Sequence, residues 1–140
     1  MRKITMLALT ALCTTSVFSA ENNTIFACTA DNGTPIEVQK IGNDYQFKYG
    51  KTVFKNAIKE VIRHPNSYIA TGSGFITHSL ELKNKGYSYT IQFVQPRNAP
   101  SMIDDPNLYI EKGDNTQEIK CDTHKSVSQN FDLKAMRPGP

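Results

Sequence analysis

A two-residue rhythm constrains this chain more than any other feature. Tyr87, Tyr89, Ile91 and Phe93 alternate with Ser88, Thr90 and Gln92; upstream, Leu80 and Leu82 alternate with Glu81 and Lys83. Successive side chains of a strand point to opposite faces, so each run has one apolar face and one wet face. That is how an antiparallel sheet covers a core on one side. Asn84-Lys85-Gly86 separates the two runs with residues that tolerate positive φ, so residues 77–94 read as a hairpin.

The signature recurs along the chain. Ile25 to Ala30 is a first strand, with Phe26 and Cys28 on one face, and Asp31-Asn32-Gly33 turns it. Thr34 to Lys40 returns with Ile36 and Val38 opposite Glu37 and Gln39. Pro35 cannot donate to a ladder, so it belongs at the start of that strand or on an edge. After Gly42-Asn43-Asp44, Tyr45, Phe47 and Tyr49 alternate with Gln46 and Lys48. Leu108 to Glu111 and Thr116 to Asp122 form a last hairpin, turning at Lys112-Gly113-Asp114-Asn115. In residues 52–63, Phe54, Ile58 and Ile62 recur every four residues. The segment is therefore either a short helix stopped by Pro65 or an irregular strand. The expected fold is all-β: a small antiparallel meander, barrel or sandwich, in one domain over 21–122. Gln95 to Asn107 carries Pro96, Pro100 and Pro106 and reads as a long loop. Residues 123–140 have little apolar content and end in Arg137-Pro138-Gly139-Pro140, so a disordered tail is expected there.

Residues 1–20 read as an address. Arg2 and Lys3 precede a largely apolar run from Ile4 to Phe18, and small Ser19 and Ala20 follow. This is the pattern of a secretory signal peptide, and the run is short for a membrane span. Cys13 falls inside it, after Leu12 and before more apolar chain, so it is discarded with the signal. Cys28 and Cys121 then remain in an oxidising compartment, periplasmic or secreted, where disulfides persist. Their bond would close a loop of roughly 94 residues, worth about 4–5 kcal/mol in the chain-entropy treatment. It requires the first and last strands to be neighbours.

The whole chain has 16 basic and 13 acidic side chains. Losing Arg2 and Lys3 leaves 14 against 13, and no two basic residues are adjacent beyond the signal. That excludes a nucleic-acid binder, which needs a basic face for phosphates. After cleavage no membrane span is expected, and neither is a cofactor. There is no C-x-x-C, and His64, His78 and His124 lack ligand spacing, so no metal site is expected. His78 and Ser79 are adjacent on a strand and point to opposite faces, which separates a base from a nucleophile; both read as half-exposed strand residues. Asp104-Asp105 reads as solvated loop charge. Thr71-Gly72-Ser73-Gly74 lacks the Gly-Lys-Ser/Thr ending of a phosphate loop and reads as a bend or bulge. No catalytic constellation emerges, and a non-enzymatic binding protein is expected. Among six tyrosines, most fall on apolar strand faces. Tyr109 is out of phase with Leu108 and Ile110 and is the best candidate for a binding surface.

Phe26-Ala27-Cys28 followed by Asn32-Gly33, Ser73-Gly74 in mid-chain, Lys112-Gly113 in a late turn and a closing Cys121 together resemble the membrane-bound and periplasmic inhibitors of C-type lysozyme. The resemblance implies an inhibitor or immunity-type protein directed at a cell-wall hydrolase. Ser73 would then supply a hydrogen-bond donor and Lys112 a cation to the acidic cleft of a lysozyme-like partner. The chain departs from the family in having no Trp before Lys112, in the wide spacing of Ser73 and Lys112, and in Phe75, Ile76 and Thr77 after the Ser-Gly pair. The other expectation is a carbohydrate- or surface-binding accessory module.

Overall fold

A computed structural model describes residues 23–140, so the expected signal peptide and its Cys13 lie outside the described residues. The expectation of an all-β fold is met by two sheets. Neither closes into a barrel.

Two meanders follow one another. The first comprises β1 (Thr24–Thr29), β2 (Pro35–Ile41), β3 (Asp44–Tyr49) and β4 (Thr52–Ala57), paired in sequence order. The second comprises β5 (Tyr68–Thr71), β6 (Phe75–Asn84), β7 (Tyr87–Pro96), β8 (Asp104–Lys112) and β9 (Asn115–Lys120), again in order. Residues 52–63 are a strand followed by one helical turn: β4 runs straight into α1 (Ile58–Val61), which buries Val61. Each turn uses the chemistry its residues allow. Lys85 and Gly86 have φ of 51° and 81°. Positive φ at both central positions gives the turn whose twist suits a two-residue hairpin. Pro35 opens β2, where its missing N–H costs no ladder bond.

The apolar faces meet in one core. Phe26, Ile36, Val38 and Phe47 from the first sheet face Leu80, Leu82, Ile91, Phe93 and Leu108 from the second. Rings interlock across the gap, with Phe47 and Tyr89 centroids 4.9 Å apart and Phe26 and Phe93 6.0 Å apart. The predicted alternations hold on this inner side, except that Tyr87, at the end of β7, is exposed. A register shift between Thr24 and Phe26 lets Ile25 and Phe26 both turn inward.

The sheets are joined at two seams. At one, Cys28 is bonded to Cys121 across 93 positions, with Cα atoms 5.9 Å apart. Ala30 pairs with Cys121 there, and Asp122 N–H donates to the Thr29 carbonyl at 2.8 Å. At the other, β6 outruns the short β5, leaving one edge of its far half without a neighbouring strand. Side chains take that strand's place: the Asn56 amide donates to the Lys83 carbonyl and accepts from Lys83 N–H, both at 2.8 Å. Ser67 Oγ accepts from Glu81 N–H at 2.9 Å. Backbone groups that would otherwise template another chain are thereby paired.

Two expectations are corrected. The long loop is shorter than 95–107, because β7 continues to Pro96 and β8 begins at Asp104. The segment 123–140 is ordered rather than disordered. It adds β10 (Ser128–Gln129) to the outer edge of β1, buries Phe131, then adds β11 (Arg137–Pro138) in parallel to β5. The Arg137 guanidinium donates to the Arg63 carbonyl. Two open edges and one aromatic anchor order this segment despite its polar composition.

Candidate functional site

The larger sheet turns its second face outward, and that face is not simply wet. Ser79, Glu81, Thr90 and Asn107 point away from the core, yet all are buried. Strand register explains where they stand. Tyr68, Ser79, Gln92 and Asn107 form one row across β5 to β8; Glu81, Thr90 and Tyr109 form the next. Large rings on the outer strands thus flank small hydroxyl side chains on the inner ones. The result is a groove of about 320 Å3 lined by Asn66, Tyr68, Ser79, Thr90, Gln92, Tyr109 and Glu111.

Its polar groups are tied down. Gln92 Nε2 donates to the Tyr68 hydroxyl at 3.3 Å. Ser79 Oγ donates to the Asn66 carbonyl and Asn66 Nδ2 donates to Glu81 Oε2, both at 2.6 Å. Lys83 Nζ stands 3.6 Å from Glu81 Oε1. Gly139 packs against Tyr68 so closely that a Cβ there would meet ring carbon Cδ2 at 2.4 Å. The C-terminal strap therefore backs the ring and fixes its attitude. Burial, reinforced by Glu118 and Asp105, raises the Tyr109 pKa above its ordinary 10.0. Its phenol stays protonated, able to donate and to accept.

Tyr109, expected at a surface, lies in this groove. Ser73 and Lys112 do not. Ser73 is exposed in the turn before β6, at the end of the sheet where Phe75 pairs with Pro96. Lys112 closes β8 at the opposite end, beside the Lys85-Gly86 turn. The strands between place them roughly 25–30 Å apart at about 3.3 Å per residue. The fold does not bring these two together. Lys112 instead holds its ammonium 4.5 Å from the centroid of the Tyr87 ring, a cation–π contact on an exposed tyrosine.

His78 and Ser79 are fully buried, contrary to the half-exposed expectation, because the strand carrying them is covered on both sides. They do point to opposite faces, with His78 in the core. Its imidazole stacks on Phe93 at 4.6 Å and meets Phe131 edge-on, and neither ring nitrogen has a hydrogen-bond partner. Burial lowers its pKa, with the Gln95 side chain opposing weakly. Asp104 and Asp105 are exposed as expected, but at the head of β8 rather than in a loop. Among the described residues no group of three or more His, Cys, Asp or Glu side chains is arranged to hold a metal ion.

Tyr68 and the Asn66–Glu81 pair escaped sequence reasoning. Residues 64–68 have no periodicity, and the burial of Glu81 depends on a segment from elsewhere in the chain. The fold and site define a class: a two-sheet, single-disulfide β protein presenting a tyrosine-flanked polar groove. No family model, no curated protein and no solved structure matches the chain.

Proposed function

We propose that this is an exported, non-catalytic binding protein, periplasmic or secreted, that docks on a protein partner through one end of its larger sheet. The observation that carries the reading is the Lys112 ammonium held over the exposed Tyr87 ring where the β6–β7 and β8–β9 turns converge. Lys83 and Lys85 stand exposed on the same end, against Glu111 and Asp114. A projecting cation on an aromatic support suits a carboxylate-lined cleft, such as that of a lysozyme-like cell-wall hydrolase. The reading rests on Lys112 and Tyr87 and makes no use of Ser73, which lies at the other end. The disulfide fits an oxidising compartment. Among the described residues no helix is long and apolar enough to cross a membrane.

The test is titration of lysozyme-type hydrolases with the purified protein. Turnover should fall stoichiometrically, and Lys112→Ala should weaken the effect by about tenfold or more, the scale of an interface hot spot. An excess of protein that slows none of several wall hydrolases removes this reading.

A further inference from the structure

We infer that the groove between Tyr68 and Tyr109 is a binding site for a neutral saccharide. The site lies on a face of the sheet rather than at its Lys112 end, so it goes beyond the docking reading and does not depend on it.

Ser79 and Thr90 are small, and each faces a tyrosine directly across the ladder: Ser79 pairs with Tyr68 and Thr90 with Tyr109. The two rings rise from strands three apart, whose backbones are roughly 14 Å from one another. Between them lies a trough of about 320 Å3, which is the small end of ligand sites and room for one or two sugar rings. A pyranose has C–H faces that pack on aromatic rings and equatorial hydroxyls that need both donors and acceptors. The groove offers both chemistries. Tyr68 and Tyr109 provide half-buried rings; the Tyr109 and Thr90 hydroxyls can donate and accept, the Gln92 and Asn66 amides each keep a second N–H and a carbonyl oxygen beyond their bonds to Tyr68 and Glu81, and Ser79 Oγ, which already donates to Asn66, can accept.

Charge narrows the class. Glu111 lines the groove and the Glu81 carboxylate lies behind Asn66; of the cations at its margins, Lys83 is engaged by Glu81 and Arg137 by the Arg63 carbonyl, and Lys120, beside Asn107, is not among the lining residues. An anionic sugar would meet repulsion there. An apolar ligand would strip water from the Gln92 amide and the hydroxyls without replacing their bonds. A neutral sugar does neither.

Rigidity favours binding as well. The groove is built on four paired strands, and its loop is fixed by the Ser79–Asn66, Asn66–Glu81 and Glu81–Ser67 bonds. Gly139 backs Tyr68. Little ordering remains to be done when a ligand arrives.

The experiment is a calorimetric and NMR titration of the exported protein with cellotetraose, with tetra-N-acetylchitotetraose and with tetragalacturonate as the anionic comparison. At least one neutral probe should bind with a Kd below about 1 mM. Tyr109→Ala and Gln92→Ala should each weaken that binding about tenfold, and tetragalacturonate should bind at least about tenfold more weakly. Lys112→Ala should leave saccharide binding within about twofold while weakening hydrolase inhibition. Gln92 is partly exposed, so its variant keeps the test open if Tyr109→Ala does not fold. The inference is overturned if neither neutral probe binds at about 10 mM, or if the folded groove variants bind like the parent. Tighter binding of tetragalacturonate also overturns it. Failure here with inhibition of a hydrolase intact would leave the docking reading standing, and the converse pattern would separate the two as cleanly.

Discussion

Replacing Phe131 with alanine removes the side chain that anchors the C-terminal strap. Phe131 is 7% exposed, meets Phe93 edge-on at 5.1 Å and stands 6.1 Å from His78. Just before it the backbone is held by Asn130 N–H donating to the Ile25 carbonyl at 2.8 Å and by the β10–β1 pairing. Phe→Ala in a core costs about 3–5 kcal/mol. This ring sits at the rim, where water can enter the space and the strap can relax, so the lower end applies, about 3 kcal/mol. That is a large part of the 5–15 kcal/mol typical of a domain. Urea denaturation followed by circular dichroism should show the midpoint falling by roughly 1–2 M with the slope unchanged. Phe131→Leu, which keeps most of the volume, should lose less than half as much. A loss under about 0.5 kcal/mol for Phe131→Ala would mean that the segment behaves as a free tail, and the reasoning about the strap would be wrong.

Two further outcomes follow from the core. His78 is buried without hydrogen bonds, and its pKa in the folded protein lies below the unfolded value of 6.5. The folded state therefore resists the proton: stability is full above pH 6.5 and declines as the pH falls through the lowered value. His64 shifts in the same direction, chiefly by burial and secondarily through Lys83, and adds to the slope. Chemical denaturation between pH 8 and 4 should show the decline, and His78→Leu should flatten part of it; an unchanged slope in that variant would contradict the assignment. Replacing Cys28 and Cys121 together with alanine should cost about 4–5 kcal/mol, read by the same denaturation, because the bond closes a loop of most of the domain. A loss below about 1 kcal/mol would show that the seam is held by Ala30, Asp122 and the packing alone.

The hairpins were legible because their signals are local. Alternation places Leu80, Leu82, Ile91 and Phe93 inside, and the Lys85-Gly86 turn fixes the register between them. The disulfide was legible through export and through having only two cysteines to pair. What sequence reasoning missed is non-local. The strap looks unstructured because one Phe and two very short strands carry no periodicity; it is ordered by edges that other segments leave open. Glu81 reads as solvent-facing because nothing in its own strand tells of Asn66 and Ser67, which bond to it from a segment outside the strand. The separation of Ser73 from Lys112 was available in principle. β6 and β8 run in the same direction, so a residue before one and a residue at the end of the other must lie at opposite ends. Dipeptide resemblance carries no such direction.

The account rests most heavily on the bond between Cys28 in β1 and Cys121 just past β9, which ties the two sheets together, and on the proposal that it forms outside the cytosol. Mass analysis of the protein recovered from its exporting host, digested without reduction, tests it directly. The expected result is an N-terminus at Ala20 or Glu21 and one cross-linked peptide pair containing Cys28 and Cys121, with no thiol open to alkylation. Recovery of both cysteines as free, alkylated thiols would contradict the disulfide and the exported scaffold together.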